Sequence, residues 1–433
     1  MGMIPTEDRI RNKGPIFDPN DKTELNADNV MLIFDKMISG EYNFDKLNIL
    51  GKIFVKGSVN QGETLGNIGS GAFMFFYPRK AAFRAGVVFD NQWDDNNIGL
   101  YSFAGGCNTI ASGTYSVALG YESIANNFCA VALGNRNTAS GAQSFAAGYN
   151  NIASGNNAVA LGLNNIAYDH CAVALGNRNT ASGARSFAAG YDSRASGHDA
   201  VALGRQNVAS GNSSVALGLD NIANNFCAVA IGGNNKASGY VSVAMGDCSQ
   251  ASGARSFAAG YDSRASGHEA VALGRQNVAS GNGSVAIGCQ SYASSFGAVA
   301  LGVAAYANGY SSVAIGDNSQ ANGSGSVALG FLTRANSLFS IALGAHNVGL
   351  GHPTDWIDTD PILEIGCGRD WANRRNAITI LKNGNVGIRT LAPTRALQVG
   401  TAGDGTSAIA NAWNTFSDAR LKEVIGELKS DEA

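Results

Sequence analysis

The sequence predicts an all-β fold, a parallel β-roll solenoid of 14-residue coils spanning residues 98–350. Three observations predict it. A glycine recurs with a fixed period of 14, from Gly106 and Gly120 through to Gly330 and Gly344, with no slip over 18 turns. An alanine stands five positions after each of these phase glycines, from Ala111 to Ala335, and only the last turn departs, with Gly349. Seven positions after the phase glycine stands a glycine such as Gly113, Gly141 or Gly155, or else Asn127, Asp169 or Asn225, with Ser295 and Ser337 the exceptions. Such residues tolerate a left-handed backbone at least cost, so a left-handed turn is expected there. A fixed short period marks each turn as one unit stacked on the next. A repeat this short cannot hold a helical hairpin but suffices for two short strands and two tight turns.

Side chains alternate along a strand, so in Val117-Ala118-Leu119 the alanine faces one way and its neighbours the other. Alanine on both strands of a coil, as at Ala111 and Ala118, predicts a thin interior with two sheets closer than the usual ~10 Å. The Val/Leu, Val/Ile or Phe/Ala pairs then point outward as a long apolar ribbon that a single chain would leave in water. Packing against copies of itself around an axis would bury it.

The Ser-Val-Ala-Leu-Gly run at 116–120, followed by Ala-Ser-Gly at this spacing, resembles the head repeats of trimeric autotransporter adhesins. The resemblance implies a left-handed parallel β-roll assembled as a homotrimer. The same roll occurs in phage fibres. At ~4.8 Å per coil, the rod would be roughly 85 Å long.

Bulk composition agrees. Fifty-six glycines and 8% aromatics argue against a conventional large core, and a net charge of −3 gives no footprint for nucleic acid. No stretch reaches the ~18 apolar residues of a membrane span, and the start, Met1 to Arg9, lacks the pattern of a signal peptide, so no membrane insertion is expected. Of the seven cysteines, Cys129, Cys171 and Cys227 share one repeat phase but lie whole coils apart, too far for disulfides. The five histidines form no ligand cluster, with His198 and His268 copies of one another, and neither metal nor cofactor is expected.

Ahead of the roll, residues 1–62 read as a docking or trimerising region. Val30, Ile33, Phe34, Met37 and Ile38 fall at helical spacing, Asp28 or Asn29 could cap that helix and Gly40 closes it. It either docks and trimerises or simply packs. Residues 63–97 carry the largest apolar groups, including Phe73 to Tyr77, and are expected to cap the N-terminal opening of the roll. Within the roll, 181–218 and 251–288 are nearly identical at an offset of five coils, which points to growth by duplicated coils. The residue after the phase glycine varies freely and is expected on the outer turns. Tyr149, Tyr191 and Tyr261 there could stack on sugars or be plain surface tyrosines.

From 351 the repeat register ends, and residues 351–400 read as a C-terminal β module. Two alternating strands flank Asn383-Gly384, the favoured pair for a type I′ hairpin. The run from Asn383 to Val399 resembles a segment frequent near the ends of phage tail fibres, with Arg389 where that pattern has glycine. Residues 401–433 read as a linker and the start of a chaperone domain. Phe416-Ser417-Asp418-Ala419-Arg420-Leu421-Lys422 resembles the opening of the intramolecular chaperone of phage tailspikes and fibres, which releases itself by cutting just before the serine. By that resemblance Ser417 is the nucleophile and Lys422 the base, expected to be inactive here because the stretch from Phe416 to Ala433 is too short for a complete chaperone. A capped helix starting at Ser417 or Asp418 fits the same residues.

Together these features point to a homotrimeric fibre of a phage or phage-tail-like particle. It would be made in the host cytoplasm and located on the virion. Its expected partners are a baseplate or tail protein at the N-terminus and a host receptor, either a glycan or an outer-membrane protein. A bacterial cell-surface trimeric adhesin is the alternative. A depolymerising tailspike enzyme would need paired carboxylates in a groove. The recurring acids, such as Asp192 and Asp262, are turn residues.

Overall fold

The structure, a computed structural model, describes residues 55–401 and residue 405. The N-terminal helix assigned to residues 28–40, the linker, Ser417 and Lys422 lie outside the described residues. What is described is all-β: a parallel β-solenoid of 14-residue coils, with two single-turn 3-10 segments at Pro78–Lys80 and Asp95–Asn97.

Each coil contributes a five-residue strand such as Val117–Tyr121 and a two-residue strand such as Ile124–Ala125. Each pairs in parallel with its copy in the next coil, for example Val117↔Val131, Gly120↔Gly134 and Ala125↔Ala139. The alternation holds: Ala111, Ala118, Ala125 and their repeats are fully buried, while Val117 and Leu119 are half-buried on the outer face. Methyl groups fill the space between the two sheets.

The expectation of a left-handed turn at Gly113 and its repeats is corrected. The left-handed residues are instead the second and ninth after the phase glycine, such as Glu122 (φ 49°) and Cys129 (φ 52°), mostly not glycine. Each gives its N–H to the preceding coil, as in Glu122 to the Cys107 carbonyl and Cys129 to the Thr114 carbonyl, both 2.8 Å. Gly113 is small for another reason: a Cβ there would stand 1.9 Å from the Asn127 carbonyl oxygen of the next coil. Asn127 uses its side chain at that position, donating to the Ser140 carbonyl at 2.8 Å and accepting from the Phe128 N–H at 2.8 Å. The phase glycine is needed twice over. Gly120 has φ 113°, and a Cβ on it would meet the Gly134 carbonyl at 1.9 Å.

The solenoid's main sheet continues past both ends of the regular repeat. The hairpin Gly71–Tyr77 and Ala82–Val88 sets its second strand in parallel on Phe103–Cys107, with Arg84 opposite Ala104. At the other end Pro361–Cys367 pairs in parallel with Ile341–Ala345, with Glu364 opposite Ala342. The chain then turns back through Asn376–Leu381 and Val386–Ile388. The hairpin at Asn383-Gly384 is not type I′. Only Gly384 is left-handed (φ 88°), and its N–H donates to the Leu381 carbonyl at 2.9 Å, a longer loop with the glycine at the bulge position. Arg389 adopts the left-handed conformation (φ 59°) that the resembling fibre segment assigns to glycine.

Candidate functional site

The surface that can act is the outside of the roll, its apolar ribbon and its turn edges. Along the ribbon, valine is the usual first outward residue of the long strand, and leucine or isoleucine the second. Where the first is Phe145, Phe187 or Phe257, the second shrinks to Ala147, Ala189 or Ala259, and Phe103 is followed by Gly105. Leu329, Ile287 and Ile341 are 44%, 37% and 40% exposed. A run of such apolar groups from one end of the solenoid to the other is far longer than a soluble monomer ordinarily shows.

The geometry beneath this face repeats with each coil, and so does the sequence similarity. The YadA head domain repeat (2 copies) matches residues 100–127, 130–151, 139–165, 172–193, 195–221, 228–247, 237–263, 265–288, 293–319 and 321–347, together more than half of the chain. The chain belongs to the YadA head domain repeat family. No curated protein matches it.

Inside this YadA head roll runs a polar ladder that sequence reasoning missed. The third residue after the phase glycine is fully buried and polar in nearly every coil, as at Asn137, Asn151, Asn165 and Asn179. Asn151 donates through Nδ2 to the Ala147 carbonyl (2.9 Å), the Gly162 carbonyl (2.7 Å) and Asn137 Oδ1 (3.0 Å). Its own Oδ1 accepts from the Asn165 backbone N–H at 2.9 Å. A buried amide so fully bonded rigidifies the turn rather than destabilising it. The signal was present in the recurrence of Asn or Ser in that phase. At the last full coil the ladder meets Glu364: Asn347 Nδ2 donates to it at 2.6 Å, Asn376 Nδ2 at 2.8 Å and the Gly349 N–H at 3.1 Å. Burial raises the Glu364 carboxyl above the usual carboxylate range.

The turn edges of the YadA head roll carry the variable chemistry. The residue after the phase glycine ends the long strand, and the turn itself begins at the next one. Tyr121, Tyr149, Tyr191 and Tyr261 are exposed there. On the opposite turn, Phe226 stacks on Tyr240 at 5.3 Å and Phe296 on Tyr310 at 5.1 Å. Arg185 pairs with Asp199 at 2.6 Å and Arg255 with Glu269 at 3.1 Å, beside His198 and His268. These surface pairs contribute little stability. A shallow groove of about 380 Å³ is lined by Asn150, Ile152, Asn164, Ile166, Arg178, Thr180 and Asp192. Asp192 and Asp262 are both left-handed turn residues (φ 53° and 48°). They lie five coils, ~24 Å, apart, too far to act as a carboxylate pair. Cys129, Cys171 and Cys227 are free and half-buried.

Proposed function

We propose that this chain is one strand of a homotrimeric adhesive fibre, three left-handed rolls packed around a common axis with the Val/Leu ribbon buried between them. The observation that carries the reading is the ribbon's size compensation. Exchanging Val/Leu for Phe/Ala, coil by coil, keeps outward volume roughly constant, and volume matters only where a face is packed. Among the described residues nothing packs there.

At the finer level, we place the fibre on a phage or phage-tail-like particle. Residues 1–62 would dock on a baseplate or tail protein, and the shaft or tip would meet a host receptor. Two segments support this: the Asn383–Val399 run and the Ser417–Lys422 motif, both similar to phage fibre ends. In a chain carrying a full chaperone domain, Ser417 would cut the bond after Phe416 with Lys422 as base, and Ser417→Ala would leave that chain whole. A bacterial cell-surface trimeric adhesin is the second reading, favoured by membership of the YadA head repeat family.

Sedimentation equilibrium tests the common core of both readings. A trimer is expected, and a stable monomer would end the proposal. Leu217→Asp should break assembly while leaving each roll folded, because three carboxylates would meet near a dry axis. Gene neighbours separate the two readings: tail and baseplate genes support the particle fibre, an outer-membrane assembly locus the adhesin.

A further inference from the structure

Three places along one turn edge of the roll rebuild the same arrangement of side chains at a fixed interval. Tyr121, Tyr191 and Tyr261 follow one another at intervals of five coils, and all three are exposed last residues of a long strand. An acid follows each at the left-handed turn position: Glu122 (φ 49°), Asp192 (φ 53°) and Asp262 (φ 48°). An arginine of the next coil lies over each ring. Arg136 is 5.9 Å from the Tyr121 centroid, Arg205 5.9 Å from that of Tyr191, and Arg275 6.0 Å from that of Tyr261.

The second and third places are near-identical copies, whereas the first, at the same 70-residue offset, reaches the arrangement with different residues. Arg205 and Arg275 are the strand partners directly beside Tyr191 and Tyr261. Beside Tyr121 the strand partner is Asn135, and the guanidinium comes instead from the next residue, Arg136, while the acid is glutamate. The same trio is therefore assembled from different positions. Of the coils between these places, one carries Tyr149, followed by Asn150 rather than an acid and with Leu163 beside it in the next coil, and others carry Leu163, Leu219 or Gly233, so the turn itself does not demand an aromatic.

The trio has the chemistry of saccharide recognition. A pyranose presents an apolar face of C–H groups that packs on an aromatic ring. Its hydroxyls donate to a carboxylate and accept from a guanidinium. At the first place the acid and the arginine of the trio hold each other, Glu122 accepting from Arg136 at 2.8 Å, and at the third Asp262 accepts from Arg264, outside the trio, at 3.3 Å. Such pre-positioning lowers the ordering cost of binding. A phosphate would face the carboxylate, and an apolar peptide would leave both charges without partners. We propose that these are three saccharide-binding sites on the shaft, and that their ligand is a repeating surface glycan. One exposed site alone is weak. Sites ~24 Å apart in a line let one polymer or a dense glycan layer occupy several together, which multiplies affinity without new contacts. The inference deepens the adhesive reading and rests on it.

The test uses the full chain on a printed array of bacterial surface polysaccharides and host oligosaccharides, followed by surface plasmon resonance on the glycan captured. The triple variant Tyr121→Ala, Tyr191→Ala, Tyr261→Ala should lower apparent affinity at least tenfold, and Asp192→Asn with Asp262→Asn several-fold, both with unchanged sedimentation and thermal unfolding. Three results would overturn the inference: no array glycan bound, binding undiminished in the triple variant, or loss of assembly in that variant, which would assign the trio to packing between copies. Adhesion to whole cells that persists in the triple variant sinks the glycan sites and leaves the fibre standing. A parent chain that is monomeric or does not adhere sinks the fibre reading itself.

Discussion

The inward position of the long strand is alanine through the body of the roll and charged at its two ends, Arg84 opposite Ala104 and Glu364 opposite Ala342. Mid-shaft, Ala216 is fully buried with another alanine beside it on each side, Ala202 and Ala230. At the ends the same position is equally buried, yet the side chains are long and polar-tipped. Arg84 donates to Ser102 Oγ at 2.9 Å and to the Ala111 carbonyl at 3.0 Å, while Trp93, in one buried cluster with Ala104 and Ala111, donates to the Thr109 carbonyl at 2.9 Å. Burial lowers the Arg84 pKa to about 10, which leaves it charged at neutral pH. The difference teaches what the interior requires. Where coils stack on both sides there is room only for a methyl; where the stack stops, a larger group fills the widening space and uses carbonyls and amides of the terminal coil.

The largest expected effect breaks the middle. Ala216→Leu adds a branched side chain between sheets held apart by methyl groups, and its identical neighbours leave nowhere for it to relax. Overpacking ordinarily costs about 1–3 kcal/mol, and this site should fall at the upper end. Urea unfolding of parent and variant would measure it. A loss below about 0.5 kcal/mol, the size of an ordinary surface substitution, would mean the interior is roomier than alanine implies.

An intermediate effect tests the N-terminal end. Arg84→Ala should destabilise the first coil and its hairpin by about 2 kcal/mol, because it opens a cavity and strips one hydrogen bond from each of several buried oxygens. These oxygens keep other partners: Ser102 Oγ still donates to the Gly99 carbonyl at 2.7 Å. Among the described residues Arg84 Nε has no hydrogen-bond partner, so its charge is incompletely compensated. Arg84→Met should therefore recover most of the loss, since an apolar chain of similar volume often replaces a buried charge without penalty. Hydrogen exchange of residues 71–107 separates the cases. Equal loosening in both variants would show that the guanidinium's bonds, not its bulk, close the roll.

Much of this was legible in the sequence, and what was not has a physical reason. The period of 14 and the alternation of Ala118 against Val117 and Leu119 gave coil, strands and interior directly, because a repeat averages away local ambiguity. The end strands were missed although they echo the repeat: Phe83-Arg84-Ala85-Gly86 and Leu363-Glu364-Ile365-Gly366 match Phe-Ala-Ala-Gly and Val-Ala-Ile-Gly with a charge in place of the first alanine. Gly86 and Gly366 stand well over one period from Gly106 and Gly344, which hides them from a search at the repeat spacing. Gly349, the one break in the alanine rule, marks the same place. A Cβ there would stand 2.6 Å from the Arg334 Cβ, and its N–H is needed by Glu364. The saccharide trio was visible only in part, since a tyrosine at a turn says nothing until the arginine of the next coil is seen over its ring.

A smaller effect concerns the C-terminal end. The folded pKa of Glu364 is raised by burial above its unfolded value near ~4.3, so between those two values the folded state holds more protons than the unfolded one. Stability of the terminal strands is then greatest below the unfolded pKa and declines as pH rises through the folded one. Glu364→Gln keeps one of the two acceptor oxygens, loses some stability at every pH where its amide faces a donor, and cannot ionise, so the decline with pH should vanish. Hydrogen exchange of 361–388 from pH 4 to 7 reads it, and identical profiles for parent and variant would place the titration elsewhere.

The smallest expected effect on folding comes from the largest change in the chain. If only the ends are particular, the middle is exchangeable, and deleting residues 190–259 should leave a folded trimer about 24 Å shorter at ~4.8 Å per coil. The junction joins Ala189 to Gly260 and keeps the phase. Each contact across it is replaced by its copy: Asn179 Oδ1 now accepts from the Ser193 N–H at 3.0 Å and would accept from Ser263, and Arg185 would meet Glu269 in place of Asp199. Stability per coil should therefore match the parent, read as coincident thermal transitions, while electron microscopy or small-angle scattering reads the length. A misfolded product would show that the ends alone do not define the roll. Because the deletion removes Tyr191 and retains Tyr121 and Tyr261, it also takes one of three sites from each chain without touching the other two. Glycan binding should weaken but persist, and the loss should be smaller than in the triple tyrosine variant. Complete loss of binding in a well-folded shortened trimer would instead place recognition on the deleted coils themselves rather than on a feature repeated along the shaft.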